Sequence, residues 1–396
     1  MRNPLGSTRR KTIAGLVTVT VLASAAGVLG TGVALAGPSS DPDVVAASVA
    51  PDNGRTCTTS KLPVDLQPGV VVAPGSDLGL TLDKQKNGQY VVVKLCLPEG
   101  PTPNAVQILT HGITYDHRYW NIADPANPDA DTYSWEAAAA KAGYATASID
   151  RIGNGESSHP LSTFVDITSN STALHDVDQA LREGKIDGQQ GGFDKVALVG
   201  HSYGSFTSMI EASRFRDVDA VILTGFSHKV DIGTPVNIET SDYPALLDPQ
   251  FTSANLDPGY ITPRPGTHRG LYYAPSTDVD PRIIARDEAT KGTVTQSELV
   301  NYPLVEATPL KVNVPVFIIN GSKDGIFCSQ QPLDLGTDCS SAERVVQQEK
   351  PFFPQAPSVD AYVVKGPGHD LNAFYQAPEA FGASMDWLQG KVPAQG

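Results

Sequence analysis

The segment from Lys195 to Phe215 does most to limit what this chain can fold into. It opens with the apolar run Val196-Ala197-Leu198-Val199 and turns through Gly200-His201-Ser202-Tyr203-Gly204. It then continues with helical spacing from Ser205 to Phe215. A short buried strand passed straight into a helix is the repeating unit of a parallel sheet. The same alternation recurs along the chain. Strands are predicted over 90–97, 105–110, 144–150, 220–223, 314–320 and 359–364. Helices are predicted over 134–142, stopped by Gly143, over 172–183, and over 373–388. In the second of these Leu174, Val177, Ala180 and Leu181 share one face. The expectation is an α/β fold: a mostly parallel sheet with helices on both faces. No helix separates the strands up to Leu97, so antiparallel pairing is expected there.

Ser227 to Lys311 breaks the alternation. This stretch is rich in proline and tyrosine, with helical patterns only at Arg282–Ala289 and Thr295–Val300. It is too long for a simple connection and reads as an insertion, 227–311, lying over the strand ends as a lid or cap. The core is then 61–226 together with 312–396.

The chain has 396 residues, 40% hydrophobic and 18% charged, which suits a globular protein. Arg2, Arg9, Arg10 and Lys11 precede an apolar run from Ile13 to Gly30, and Ala34-Leu35-Ala36 reads as a cleavage site. Residues 1–36 are therefore read as a cleaved signal peptide of a secreted protein, without stable membrane insertion afterwards. The alternative is an uncleaved anchor. Residues 37–60, rich in Pro, Ser, Ala and Asp, read as a mobile lead-in. Removal of 1–36 leaves 25 basic against 43 acidic residues, a formal charge of −18. That excess argues against nucleic acid or anionic membranes as partners. Cys57, Cys96, Cys328 and Cys339 are even in number and suit an oxidising compartment. Three pairings are possible; the two between sequence neighbours, Cys57–Cys96 and Cys328–Cys339, are favoured. A zinc site finds no support from a C-x-x-C pair or a nearby histidine.

In parallel sheets ligands gather at the carboxyl ends of the strands. Ser202 follows the strand ending at Val199. Asp324 follows Val316–Asn320 through Gly321-Ser322-Lys323. His369 follows the last strand in Gly366-Pro367-Gly368-His369, and His111-Gly112-Ile113 follows the strand ending at Thr110. The set resembles the α/β-hydrolase family. Gly200-His201-Ser202-Tyr203-Gly204 is similar to its nucleophile elbow, with Ser, Asp and His in the family's order. Asp150-Arg151-Ile152-Gly153-Asn154-Gly155-Glu156-Ser157 is similar to a glycine-containing loop of the family. The resemblance covers 62–226 and 312–388 and leaves the insertion unmatched.

The resemblance implies a serine hydrolase. Ser202 would be the nucleophile, His369 the base that activates it, and Asp324 the acid that orients His369. The backbone N–H groups of Tyr203 and Ile113 would bind the oxyanion, with His111 and Gly112 supporting that loop. Gly200 and Gly204 would let the elbow turn tightly. Among rival residues, His201 is expected beneath the turn, His175 on a helix surface, and His117, His159 and His268 in loops. His228 could reach the pocket, and Asp231 is a distant rival for the acid. Tyr115, Trp120, Phe226, Tyr272 and Tyr273 either line an acyl pocket or pack the core. A serine at the elbow argues against the epoxide hydrolases and haloalkane dehalogenases, which place aspartate there. The expected activity is hydrolysis of carboxylic esters, with a small-molecule or lipid ester as substrate. Peptidase or amidase, lactonase and thioesterase activities use the same triad, and a noncatalytic binding protein is the reading from another class. No metal and no organic cofactor are implied, because an acyl-enzyme needs only water.

Overall fold

The computed structural model describes residues 49–52, 54–70, 80–81, 88–127, 129–230, 241–267, 270, 272–300, 310–330 and 335–395. The expected signal peptide, Asp231 and His268 lie outside the described residues. In chain order the strands are β1 (Val49–Asp52), β2 (Arg55–Pro63), β3 (Gly69–Val70), β4 (Leu80–Thr81), β5 (Tyr90–Pro98), β6 (Ala105–Thr110) and β7 (Ala145–Asp150). They continue with β8 (Lys195–His201), β9 (Ala220–Thr224), β10 (Asp242–Pro244), β11 (Tyr260–Pro263), β12 (Val294–Thr295), β13 (Val316–Gly321) and β14 (Val359–Val364). The α-helices are α1 (Trp135–Lys141), α2 (Ile167–Arg182), α3 (Tyr203–Arg214), α4 (Pro281–Ala289), α5 (Ala342–Glu349) and α6 (Ala377–Lys391).

The main sheet has nine strands in the order β1-β2-β5-β7-β6-β8-β9-β13-β14. The pairs from β7 to β14 are parallel, and β1, β2, β5 and β7 pair antiparallel. Each central strand buries both faces. Val196 and Leu198 belong to a cluster with Leu174 and Val177 of α2 and Phe206, Met209 and Ile210 of α3. Ala197 and Val199 point the other way, into a cluster with Trp135 of α1 and Phe381 and Leu388 of α6. Two-residue periodicity therefore gives one core above the sheet and one below.

Register aligns the strand ends. Thr110 pairs with Gly200, Gly200 with Leu223, Thr224 with Ile319, and Gly321 with Val364. The loops after β6, β8, β9, β13 and β14 therefore leave one edge of the sheet side by side.

Several elements differ from the sequence reading, among them β1, which also falls in the expected lead-in, and α5, which the sequence reading lacked. Residues 55–60, read as part of a mobile lead-in, are paired strand. β2 runs antiparallel to β5 with Cys57 opposite Cys96, and those two sulfurs are 2.05 Å apart. Its Thr- and Ser-rich sequence hid an edge-side strand held by that bridge. Helix α2 starts at Ile167, earlier than predicted, because a capping box of Asp166 and Ser169 starts it without an apolar stripe. Between β9 and β13, β10, β11 and β12 form a separate three-stranded antiparallel sheet.

Candidate active site

Ser202 has φ 52° and ψ −119°, a conformation that costs a non-glycine residue about 1–3 kcal/mol. Its amide donates to the Thr224 carbonyl at 2.9 Å, and its own carbonyl accepts from the Ser205 amide at 2.9 Å. The flanking glycines answer to crowding. A Cβ on Gly200 would lie 2.4 Å from Ser205 Cα, and one on Gly204 would lie 2.0 Å from the Thr110 carbonyl oxygen. The turn is as tight as the G-x-S-x-G spacing suggested. The strained hydroxyl sits at the head of α3, 8% exposed.

His369 leaves the end of β14 and Asp324 the end of β13. His369 Nδ1 donates to Asp324 Oδ2 at 2.9 Å, and both side chains are fully buried. The other oxygen of Asp324 accepts from the Ile326 and Phe327 amides at 2.9 and 3.1 Å. Burial pushes the Asp324 carboxyl up, but the His369 charge, its hydrogen bond and those two amides outweigh burial and hold it below its usual value. Burial likewise pushes the His369 imidazole down, and the Asp324 charge and hydrogen bond carry it above its usual value. With Nδ1–H committed to Asp324, Nε2 is the nitrogen that can take a proton. It is buried and has no hydrogen-bond partner among the described residues. The ring lies 4.8 Å from that of His201, the residue before Ser202.

The loop after β6 closes the opposite side. A Cβ on Gly112 would meet Ser202 Cβ at 3.1 Å, so this position has no room for a side chain beyond hydrogen without displacing the serine. The Gly112 carbonyl accepts from His111 Nδ1 at 2.8 Å and from an Arg151 guanidinium nitrogen at 3.2 Å. In a trans peptide the N–H points opposite to the C=O, so fixing this carbonyl aims the Ile113 N–H. His111 Nε2 accepts from the Arg151 amide at 3.0 Å, and Arg151 Nε donates to the His111 carbonyl at 3.1 Å. Burial, then the Arg151 charge, push the His111 imidazole well below its usual value, which suits this neutral form. Arg151 is itself buried against Glu298, and Glu298 also accepts from Asn170.

Sequence reasoning missed Arg151 and Glu298 as supports of this loop; the only local signal was a charged residue inside the glycine loop after β7. It also missed a chain of buried polar groups under the elbow. His201 Nε2 donates to Asp370 Oδ1 at 2.9 Å, and its Nδ1 faces Thr224 Oγ1 at 3.1 Å. Tyr115 bonds the other oxygen of Asp370 and approaches Asp287 of α4 at 3.4 Å. Tyr273 donates to Asp287 at 2.6 Å. Tyr115 and Tyr273, read as pocket or packing residues, are thus polar members of this chain. Trp120 and Phe226 are core. Tyr272 stacks on His369 at 5.7 Å, and its carbonyl accepts from the His369 amide at 3.0 Å.

The remaining histidines have other neighbours. His228 Nδ1 bonds Glu349 Oε2 at 2.6 Å and its ring stacks on Phe352. His117 pairs with Asp150 at 2.7 Å, which raises the imidazole to about 9 against the opposing effect of burial. His159 lies beside Tyr260, and His175 pairs with Asp217. Cys328 and Cys339 are bridged just after Asp324, so both favoured cysteine pairs are formed.

A family model described as the alpha/beta hydrolase family matches residues 107–383. Among solved structures, a monoacylglycerol lipase from Paleococcus ferrophilus is similar at 16% identity and a TM-score of 0.50, over 77% of this chain and 99% of that one. An esterase from Exiguobacterium antarcticum is similar at 14% identity and a TM-score of 0.49, over 76% of this chain and 96% of that one. Identities this low speak to fold alone. No curated protein sequence matches significantly. The strand order, the strained turn at Ser202 and a family match across most of the chain lead to one assignment: the chain belongs to the alpha/beta hydrolase family.

Proposed function

We propose that the protein hydrolyses carboxylic esters through an acyl-enzyme on Ser202. The observation that carries this reading is the buried His369–Asp324 pair, whose Nε2 has no partner among the described residues and whose ring packs 4.8 Å from that of His201, the residue before the strained serine. His369 Nε2 takes the hydroxyl proton as Ser202 Oγ attacks the ester carbonyl carbon. The Ile113 and Tyr203 N–H groups receive the developing oxyanion. Neither N–H is engaged by another backbone carbonyl among the described residues. The intermediate collapses as His369 gives its proton to the departing alkoxide. Water then attacks the acyl-enzyme by the same route, which releases the acid and restores Ser202. Asp324 keeps Nδ1 protonated and stabilises the imidazolium in both halves. Long or unformed serine–histidine bonds are common before substrate binds, and they tighten in the reacting complex.

The inserted segment 227–311 serves in this reading as a lid. Its Tyr272 lies on His369, and Ser202 is nearly closed from solvent. A substrate must displace part of that cover, so apolar esters of small to medium acyl length are the substrate class. Export fits the chemistry as well: two disulfides persist in an oxidising compartment. No helix among the described residues is long and apolar enough to cross a membrane.

Initial rates on p-nitrophenyl esters of increasing acyl length, with Ser202→Ala as control, test the proposal. Ser202-dependent turnover with a length optimum is expected. Turnover of amides but not esters, or turnover that survives Ser202→Ala, would overturn it.

A further inference from the structure

Beside the candidate triad lies a second buried carboxylate. Asp370 follows His369 in sequence, but its side chain turns to the elbow. His201 Nε2 donates to Asp370 Oδ1 at 2.9 Å, and Tyr115 donates to Oδ2. The His201 and Asp370 side chains are fully buried. The His201 ring stacks on Tyr119 at 4.3 Å and 15°, and its centre lies 4.8 Å from that of His369. A Cβ on Gly225 would meet His201 Cε1 at 2.8 Å and His369 Cε1 at 3.1 Å, so the backbone after β9 packs on both rings. Asp370 is thus one imidazole away from His369 in a close-packed layer, where a charge is weakly screened.

Two carboxylates meet at Tyr115. Its hydroxyl bonds Asp370 and lies 3.4 Å from Asp287 Oδ2, which also accepts from Tyr273 at 2.6 Å. Burial, then the Asp370 charge, hold the Asp287 carboxyl well above its usual value. Asp287 therefore keeps the proton, and Asp370, with a donor on each oxygen, keeps the charge. His201 stays neutral, because burial pushes its imidazole down against its hydrogen bond to Asp370. Its Nδ1 then accepts from Thr224 Oγ1 at 3.1 Å. Burial lowers the His369 imidazole, and two charges, Asp324 and then Asp370, raise it. Tyr272 on the face of His369, and Tyr115 and Tyr119 beside His201, are neutral, since burial lifts each hydroxyl well above its usual value.

We propose that Asp370 is a positioning residue of the hydrolytic site: through His201, its charge stabilises the His369 imidazolium that forms as Ser202 loses its proton. This role rests on His369 being the base for Ser202. No proton crosses His201. Its Nε2–H stays on Asp370, and the effect is electrostatic. Asp324 orients the His369 ring, whereas Asp370 adds charge without touching it. Asp287 sits in the same hydrogen-bonded chain but is neutral, so it adds none.

The test compares wild type, Asp370→Asn, Asp287→Asn and the double variant, each as the full chain. One readout is the kcat/KM profile on a p-nitrophenyl ester, whose acid limb reports the base in the free enzyme. The other is the ring-nitrogen titration of His369, followed by NMR of protein labelled with nitrogen-15 histidine. A unit charge about 8 Å away, at an effective dielectric of about 20, shifts a pKa by roughly one to two units. Loss of the Asp370 charge disfavours the imidazolium, so in Asp370→Asn the acid limb and the titration should both move about one unit lower or more. The plateau kcat should fall about tenfold with KM little changed. Asp287→Asn replaces one neutral side chain by another and should move neither. The double variant should match Asp370→Asn, which excludes a charge relocated to Asp287. A merely structural Asp370 would lower Tm and leave the His369 titration in place. An unmoved titration in Asp370→Asn with native circular dichroism would overturn the proposal. So would a shift of the same size in Asp287→Asn, a result that stands even if Asp370→Asn fails to fold. Ester turnover that does not depend on Ser202 would instead overturn the reading on which this role rests, and the NMR titration reports the Asp370 charge independently of turnover.

Discussion

Two histidines at strand ends of the main sheet make nearly the same bond. His369 gives Nδ1 to Asp324 at 2.9 Å, and His228 gives Nδ1 to Glu349 at 2.6 Å. All four side chains are fully buried, and both Nε2 atoms lack a partner among the described residues. What separates them is what surrounds the ring. His228 lies flat on Phe352 at 4.1 Å, with Phe226 and Phe353 edge-on at 5.0 and 5.3 Å. His369 lies 4.8 Å from His201 at the elbow that holds Ser202 in its strained conformation. A buried histidine–carboxylate pair is therefore no signature of a base. The pair also needs a nucleophile, and of these two only His369 packs against the residue that precedes the strained serine.

This contrast can be broken most sharply at His369. His369→Ala should lower kcat on a p-nitrophenyl ester by about 10⁵- to 10⁶-fold, as loss of the base does in serine hydrolases. A loss below tenfold would remove His369 from the chemistry. Asp324→Asn should cost about 10⁴-fold by releasing the imidazole tautomer. It should also move the acid limb of the kcat/KM profile. The base must be neutral, so activity falls as pH drops through the His369 pKa, which Asp324 holds above its usual value. Without that charge burial dominates, and the acid limb should shift to lower pH. An unmoved limb would show that Asp324 does not set the base.

Smaller effects test the supports. Replacing Arg151 and Glu298 together by Met avoids an unpaired buried charge and removes one of the two donors that hold the Gly112 carbonyl, leaving His111. The loss of an aimed Ile113 N–H should cost about 100- to 1000-fold in kcat with KM little changed. A pure KM effect would place Arg151 outside oxyanion positioning. His228→Asn should change kcat by no more than about twofold, since interaction with the transition state is what sets kcat. A loss comparable to that of His369→Ala would collapse the contrast.

The smallest change is in stability. Burial, then the neighbouring Asp370 charge, raise the Asp287 carboxyl well above its usual value. A raised acid contributes stability that is fully present below its unfolded pKa and is lost as pH rises toward its folded pKa. Wild type should therefore lose Tm between pH 5 and pH 8 relative to Asp287→Asn, whose profile should be flatter. Parallel profiles would show that Asp287 is not held protonated.

Which parts were legible in the sequence follows from range. The elbow was readable because its glycines answer to atoms a few residues away: Gly200 is crowded by Gly204 and Ser205. The main-sheet strands β5 to β9, β13 and β14 were readable because each is a largely apolar run, whereas the short strands β10, β11 and β12 of the insertion were not. β2 was not, since an edge-side strand of Thr, Ser and Lys resembles a polar lead-in until its partner β5 is known. Supports built from distant pairs were also invisible. Arg151 meets a glutamate 147 positions away, and Tyr115 meets an aspartate 172 positions away. His175 looked like a surface histidine because Glu211 and Asp217 reach it only through the packing of α2 on α3. Strand order decides such meetings, and local pattern does not encode it.

The most direct test of the account is peptide mapping by mass spectrometry after brief exposure to a fluorophosphonate. The account predicts one adduct, on Ser202, in wild type and in His228→Asn, and no adduct in His369→Ala at the same exposure. Labelling at another residue, or equal labelling of Ser202 without His369, would contradict the claim that His369 activates Ser202.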